Sequence, residues 1–395
     1  MNFKLSAVSA AVVLACSFGS AFAADESTVN QPGNNNSASV NQQGNASSSI
    51  GSSTVFQAGA SNSASVQQIG NASFSTASIH EGEGANNNNS SISQVNNTGA
   101  IAAVQDWGSN NTGTVTQQNV TTATGSIGQN GNYNNGSISQ SYGANQKAII
   151  NGTNYGAHGT GNSATSTQTG NDQTVAIEQG PGSYNVLYAS QQGASNTASL
   201  NQTGVSNALS TSQNGGGMLN SMTVTQSGNV NTANATQIGD NQNLTILQGI
   251  GVNNGVYAIQ QGMNDRATLT QTGNSNTLNT SQTGNNRLNT LAVTQSGDLN
   301  SANATQAGSN LNADLAQSNN YNTANLSQTG SDSFLDVTQS GLSNRAFVEQ
   351  NGSQNLGSLV QSGNNNIASI SQNGASFKSY NTQSGSYNTI TVTQR

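Results

Sequence analysis

Few residues of this 395-residue chain have types suited to catalysis or metal binding, and their spacing serves neither. His80-Glu81-Gly82-Glu83 sets an imidazole among carboxylates, the donor types of a metal centre. A protein-held ion needs three or four ligands, however, and His158 is the only other histidine. Serines are abundant but none has a base placed to activate it. Gly180-x-Gly182 and Gly215–Gly217 lack the strand-to-helix setting of a phosphate loop and read as turns. Gly239-Asp240 does not continue into a nonapeptide calcium repeat. The chain is therefore expected not to be an enzyme, and no cofactor, metal or small-molecule substrate is expected.

Hydrogen-bonding chemistry is abundant instead. The stretch Gln226 to Gln237 reads Q-S-G-N-V-N-T-A-N-A-T-Q, with a frame of Gln226, Gly228, Asn231, Ala233 and Gln237. The frame returns at Gln295, Gly297, Asn300, Ala302 and Gln306, and at Gln361, Gly363, Asn366, Ala368 and Gln372. Repetition of this kind precedes any other reading. The candidate stacking residues are Gln226, Asn231, Gln237, Gln295, Asn300, Gln306, Gln361, Asn366, Gln372, Asn388 and Gln394. A buried amide without a partner is costly, whereas one stacked on its own kind satisfies donor and acceptor together.

Only 32% of residues are hydrophobic and 5% charged. Disordered chains share the low hydrophobicity but carry high net charge. Asn/Gln-rich chains of low charge are the composition of cross-β assemblies. The strand-breaking prolines number two, Pro32 directly after the repeat Gln31 and Pro181 two residues after the repeat Gln179. A formal net charge of −7 disfavours nucleic acid, which requires a basic footprint.

Residues 1–23 carry Lys4, an apolar run from Ala7 to Ala15 and the small-residue end Ala21-Phe22-Ala23. This is a secretory signal peptide, too short in its apolar run to span a membrane, with cleavage expected near Ala23. The lone cysteine, Cys16, leaves with it, so neither disulfides nor thiol chemistry belong to the mature chain.

From residue 24 to 395 the elements that position the amides are strands. Asn289, Leu291, Val293 and Gln295 alternate with the small or polar Thr290, Ala292 and Thr294, the period-two signature of a strand with one face buried. Glycine two residues after the glutamine, followed by Asn, Asp or Ser, is turn chemistry. A helix would be destabilised by glycine at each repeat. Repeats about 80–165 are irregular: Glu81 and Asp106 take glutamine positions, Asn145, Lys147, Ile149 and Asn151 form a weak box, and residues 152–161 read as a loop. Gln179/Gln248 and Gln226/Gln295 are each 69 apart, a duplicated block of six strands. Tandem identity of neighbouring repeats favours parallel stacking. The expected fold is all-β: a two-sheet, cross-β solenoid of about sixteen two-strand coils following the signal peptide.

Each coil buries about four modest side chains, far less than its ordering costs, so stability must come from stacking. Neither the box beginning at Asp25 nor the last, Asn388-x-Ile390-x-Val392-x-Gln394, adjoins a capping segment, so strand edges are expected to template another copy. Asp240, Asp265, Asp298, Asp314, Asp332 and Asp336 fall in the best repeats. They are candidate gatekeepers, since stacked like charges repel.

The frame Gln-x-Gly-x-x-Asn-x-Ala-x-x-x-Gln resembles the curlin repeat, and the resemblance extends over essentially the whole mature chain. It implies a structural subunit of an extracellular, cell-surface amyloid fibre of a Gram-negative bacterium, self-assembling for adhesion and biofilm matrix. It also implies a nucleating partner subunit and an outer-membrane secretion pore. The chain departs from that family in carrying many more repeats. It also lacks a glycine-rich segment ahead of the first repeat, where only Ala24 to about Asn30 stand. Two alternatives are the nucleating minor subunit of such a fibre and a monomeric solenoid binding ice or another surface through Thr223-x-Thr225.

Overall fold

Successive side chains of an extended strand point to opposite faces, so each box has one face that water must leave. In Thr290–Ser296 Leu291, Val293 and Gln295 are buried, while Thr290, Ala292 and Thr294 face outward. The computed structural model describes residues 12–14, 26–44, 51–70, 74–152, 159–214 and 216–395, and no described residue is helical. Within each unit the strands pair in parallel, most of them in register with the strand two further along the chain, so the fold is a two-sheet β-solenoid. Of the expected signal peptide only Val12–Leu14 is described, as a strand beside Ala38–Val40. The remainder of residues 1–23 lies outside the described residues.

The chain divides into two compact units, Met1–Ser195 and Asn196–Arg395. The first contains seven two-strand coils, from Glu26–Asn30 with Ser37–Gly44 to Thr174–Ser183 with Val186–Ala194. Like stacks on like: Ala38 lies on Ala64, Val40 on Val66 and Gln42 on Gln68.

The box expected at Asn145, Lys147, Ile149 and Asn151 is shifted by one residue. Lys147–Gly152 pairs so that Gly152 lies opposite Gln129 and Gln179, which turns Gln146, Ala148 and Ile150 inward. A one-residue slip exchanges the two faces of a strand. Here it keeps the lysine out of the core and substitutes Ala148 for it. Of the expected loop at 152–161, residues 153–158 lie outside the described residues. Gly159–Thr160 is already back in the sheet, beside Gly131–Asn132.

The second unit contains nine coils, from Thr197–Val205 with Ala208–Asn214 to Lys378–Ser386 with Thr389–Gln394. In one sheet Leu291, Val293 and Gln295 lie on Ala313, Leu315 and Gln317; in the other, Ala302, Ala304 and Gln306 lie on Ala324, Leu326 and Gln328. Leu291 and Val293 thus share a coil with the smaller Ala302 and Ala304, while in the next coil each sheet contributes one alanine and one leucine, which keeps the core thin and filled. Strand Thr277–Arg287 carries an irregularity between Gln282 and Arg287, where the register jumps before Arg287 meets Ser309.

The corners set how closely coils approach. Gly228 has φ 96°, and a Cβ there would lie 2.1 Å from the Gly251 carbonyl oxygen of the next coil. Only glycine fits on both counts. The frame asparagine, three residues after the repeat glycine, is preceded by a left-handed residue even where its side chain is bulky: Val230 at φ 57°, Leu299 at 58°, Tyr387 at 60°. Such a residue costs about 1 kcal/mol or more. A bond between coils offsets the strain, as where Val230 N–H donates to the Val205 carbonyl at 2.9 Å.

Candidate functional site: the amide ladders

Period-two alternation turns the repeat glutamines inward, and parallel register places each one over its counterpart. In the second unit Gln202 donates through Nε2 to Oε1 of Gln226, and the step continues through Gln248, Gln271, Gln295, Gln317, Gln339 and Gln361 to Gln383. Every bond in this column is 2.7–3.0 Å. The opposite sheet runs Gln213, Gln237, Gln260, Gln282, Gln306, Gln328, Gln350, Gln372 and Gln394 at 2.8–2.9 Å. Each glutamine's second amide hydrogen crosses to the other sheet, as Gln226 to Ala208 O (3.1 Å), Gln295 to Thr277 O (3.1 Å) and Gln361 to Arg345 O (3.0 Å). Both Nε2 hydrogens and the carbonyl are thus used, and the bonds within each ladder point one way, an arrangement in which each polarises the next.

The frame asparagines act differently from the glutamines. Asn231 Oδ1 accepts the backbone N–H of Asn254 in the next coil at 2.9 Å, while its Nδ2 donates to Ser227 O at 2.8 Å. Asn300 reaches Ser296 O (3.1 Å) and Asn319 O (2.6 Å), and Asn366 reaches Ser362 O (3.1 Å) and Gly385 O (3.0 Å). Each therefore ties its own turn to the turn of the next coil. Asn388 donates to Ser384 O at 2.8 Å and is exposed.

The six aspartates do not form one cluster. Asp240 and Asp298 occupy turn positions where asparagine stands elsewhere. Asp240 accepts from Met218 N (2.9 Å), and Asp298 accepts from both Asn274 N (2.8 Å) and Asn274 Nδ2 (3.0 Å). Asp332 accepts from Asn310 Nδ2 at 2.8 Å. Only Asp314 and Asp336 stack on each other, on the outer face; burial and the Asp336 charge raise the Asp314 carboxyl above its ordinary range. Asp265 is buried in a frame-asparagine position: Oδ1 accepts Asn289 N–H at 3.0 Å, while Oδ2 has no partner. Burial pushes it up to about 6, against that one hydrogen bond.

In the first unit one ladder is continuous from Gln42 through Gln68, Gln94, Gln117, Gln140 and Gln168 to Gln191, at 2.7–3.1 Å. The other starts at Gln31 and Gln57 and then meets Glu81, Asp106, Gln129 and Gly152. His80 and Glu81 do not converge on an ion. Alternation sends His80 outward, where it stacks on Phe56 at a 4.7 Å centroid distance, and turns Glu81 into the ladder. Among the described residues no three His, Cys, Asp or Glu side chains are grouped to hold a metal. The left-handed corner residues have a single signal in the sequence, their place before the frame asparagine. The asparagines, expected as stacking amides, clamp turns instead.

Residues 342–374 match the family model of the curlin associated repeat. Over this span the chain carries the curlin associated repeat. The matched span contains strands Arg345–Ser353 and Leu356–Asn364 and all but the last residue of Ile367–Ala375, with Gln350, Gln361 and Gln372 in the two ladders. What marks a curlin repeat in the sequence is therefore, in this fold, the set of groups that bond one coil to the next. No curated protein matches the chain.

Proposed function

We propose that this chain is a structural subunit of an extracellular, curli-like amyloid fibre, in which copies stack coil on coil. One observation carries the reading: the ladders of the second unit repeat without interruption through nine coils, and each coil offers the next the same donors and acceptors it receives. Nothing in that pattern distinguishes a coil of the same chain from a coil of another copy. Unpaired strand edges recruit strands of matching register, and here amides and glycine corners add to the match. The curlin repeat further supports export to the cell surface, a nucleating partner subunit, an outer-membrane secretion pore, and roles in adhesion and biofilm matrix.

Surface binding by a threonine array finds less support. The outward column Thr223, Thr245, Thr268 continues into Ala292 and Asp314, and Thr225 is followed by Leu247. A flat array matched to a lattice needs regularity that these columns lack.

Purified residues 24–395 are expected to form thioflavin-positive fibres with a meridional reflection near 4.8 Å. A protein that stays monomeric under conditions that polymerise other Asn/Gln-rich cross-β chains would refute the proposal.

A further inference from the structure

The interrupted ladder of the first unit has an unbalanced count of hydrogens. Ser90 Oγ lies 2.8 Å from Glu81 Oε1 and 2.7 Å from Asp106 Oδ2. A hydroxyl has one hydrogen, and ionised carboxylates only accept. Both contacts can be hydrogen bonds only if one carboxyl brings its own hydrogen to Ser90. A second mismatch lies one coil on. Asp106 Oδ1 and Gln129 Oε1 belong to in-register positions of one column, both are buried, and neither has a partner. At every intact step the earlier residue donates to the carbonyl of the later one. An ionised Asp106 cannot do this, whereas a protonated one can.

Among the described residues no cation compensates the pair. The flanking strand Ser52–Gln57 contributes Gln57, whose Nε2 donates to Glu81 Oε2 at 2.8 Å, and Thr124–Gln129 contributes Gln129. The opposing sheet contributes Ser90, with Gly113 next in its column. The other titratable groups nearby, His80 and Glu83, lie outside: His80 stacks on Phe56 and meets Trp107 at a tilt, and Glu83 is exposed in the turn. The sequence has no lysine or arginine between Lys4 and Lys147, and Lys147 is exposed at the start of its strand.

We propose that Glu81 and Asp106 form a proton-filled step in the glutamine ladder, so that the first unit closes its core by taking up protons and opens a fault there when they are lost. One proton completes the Ser90 bridge, and a second, on Asp106 Oδ1, completes the step to Gln129. The electrostatics agree with the geometry. Burial, reinforced by the Asp106 charge, pushes Glu81 up to about 7 against bonds from Gln57 and Ser90, and burial pushes Asp106 to about 6 against its bond from Ser90. Both folded-state values exceed the unfolded ones. The stabilisation is therefore complete below about pH 4, the ordinary carboxyl range, and is lost as pH rises through about 6 to 7. A secreted chain would accordingly order this unit more readily in mildly acidic surroundings than at neutral pH.

Carboxyl-carbon NMR of the full chain, assigned at Glu81 and Asp106 and followed from pH 4 to 8, tests this directly in the unmodified protein. At least one of the two is expected to titrate above pH 5.5; both midpoints near 4 would overturn the proposal. Calcium that returns the midpoints to the ordinary range would assign the gap to a metal ion and overturn it equally. The second arm compares pH-dependent denaturation of the parent with Glu81→Gln/Asp106→Gln, which restores the repeat residue at both positions. The parent's folding equilibrium should fall by up to about tenfold per pH unit for each proton lost between about pH 5 and 7. The variant should lose that part of the slope, and equal slopes would contradict the proposal.

Discussion

Gln295 illustrates what a single ladder residue does. It accepts from Gln271 and donates to Gln317, both at 2.8 Å, and its other hydrogen reaches Thr277 O. Gln295→Leu keeps the volume but strands a donor on Gln271 and an acceptor on Gln317 in a dry core. Each unsatisfied group costs roughly 1–3 kcal/mol, so the loss should be about 2–6 kcal/mol, read as a lower denaturation midpoint. Asp265 tests the converse. Its Oδ2 occupies the place from which frame asparagines donate, as Asn289 does to Gly308 O at 3.1 Å. Asp265→Asn restores the donor and removes a charge. Because the folded-state value is raised to about 6, the parent is penalised above that pH, and the gain should be present at pH 7 and vanish near pH 4. A gain independent of pH would argue against the burial of that carboxyl. At this scale the repeat glutamines were legible, since period two placed them inward. The asparagine clamps were not, because their partners are backbone groups of their own turn and of neighbouring coils and carry no side-chain signal.

At the scale of strands and corners, glycines divide by what the next coil places over them. Gly228 combines φ 96° with a carbonyl 2.1 Å from where a Cβ would be, whereas Gly255 has nothing within 4 Å of its own. Gly228→Ala should destabilise by at least about 1 kcal/mol, while Gly255→Ala, in a strand, should be neutral or mildly stabilising. Thermal unfolding of the pair checks this, and equal effects would mean that the corners do not set coil spacing. The strands themselves were readable wherever apolar and polar residues alternate without interruption, as from Asn289 to Gln295. The exception, Lys147–Gly152, has apolar or ambiguous residues at both phases (Ala148, Ile149, Ile150), so alternation alone permitted either face. Exclusion of the Lys147 charge from a dry core decides between them, and that depends on the neighbouring coils rather than on the box.

For the whole molecule, the number of coils and the two-sheet arrangement follow from counting repeats, because each repeat adds the same strand in the same register. Charge placement was less legible. Six aspartates looked alike in sequence, yet only Asp314 and Asp336 stack as like charges, while Asp240, Asp298 and Asp332 accept hydrogen bonds along the stack. Asp336→Asn should therefore shorten the fibrillation lag more than Asp332→Asn, as thioflavin kinetics at matched concentration would show; equal lags would remove the gatekeeper role from the stacked pair. Assembly itself is the central claim, and seeded growth tests it most directly. Sheared fibres of residues 24–395 added to fresh monomer should abolish the lag, with Gln295→Leu monomer elongating more slowly on the same seeds. A chain that remains monomeric, with seeds leaving it unchanged, would contradict the account.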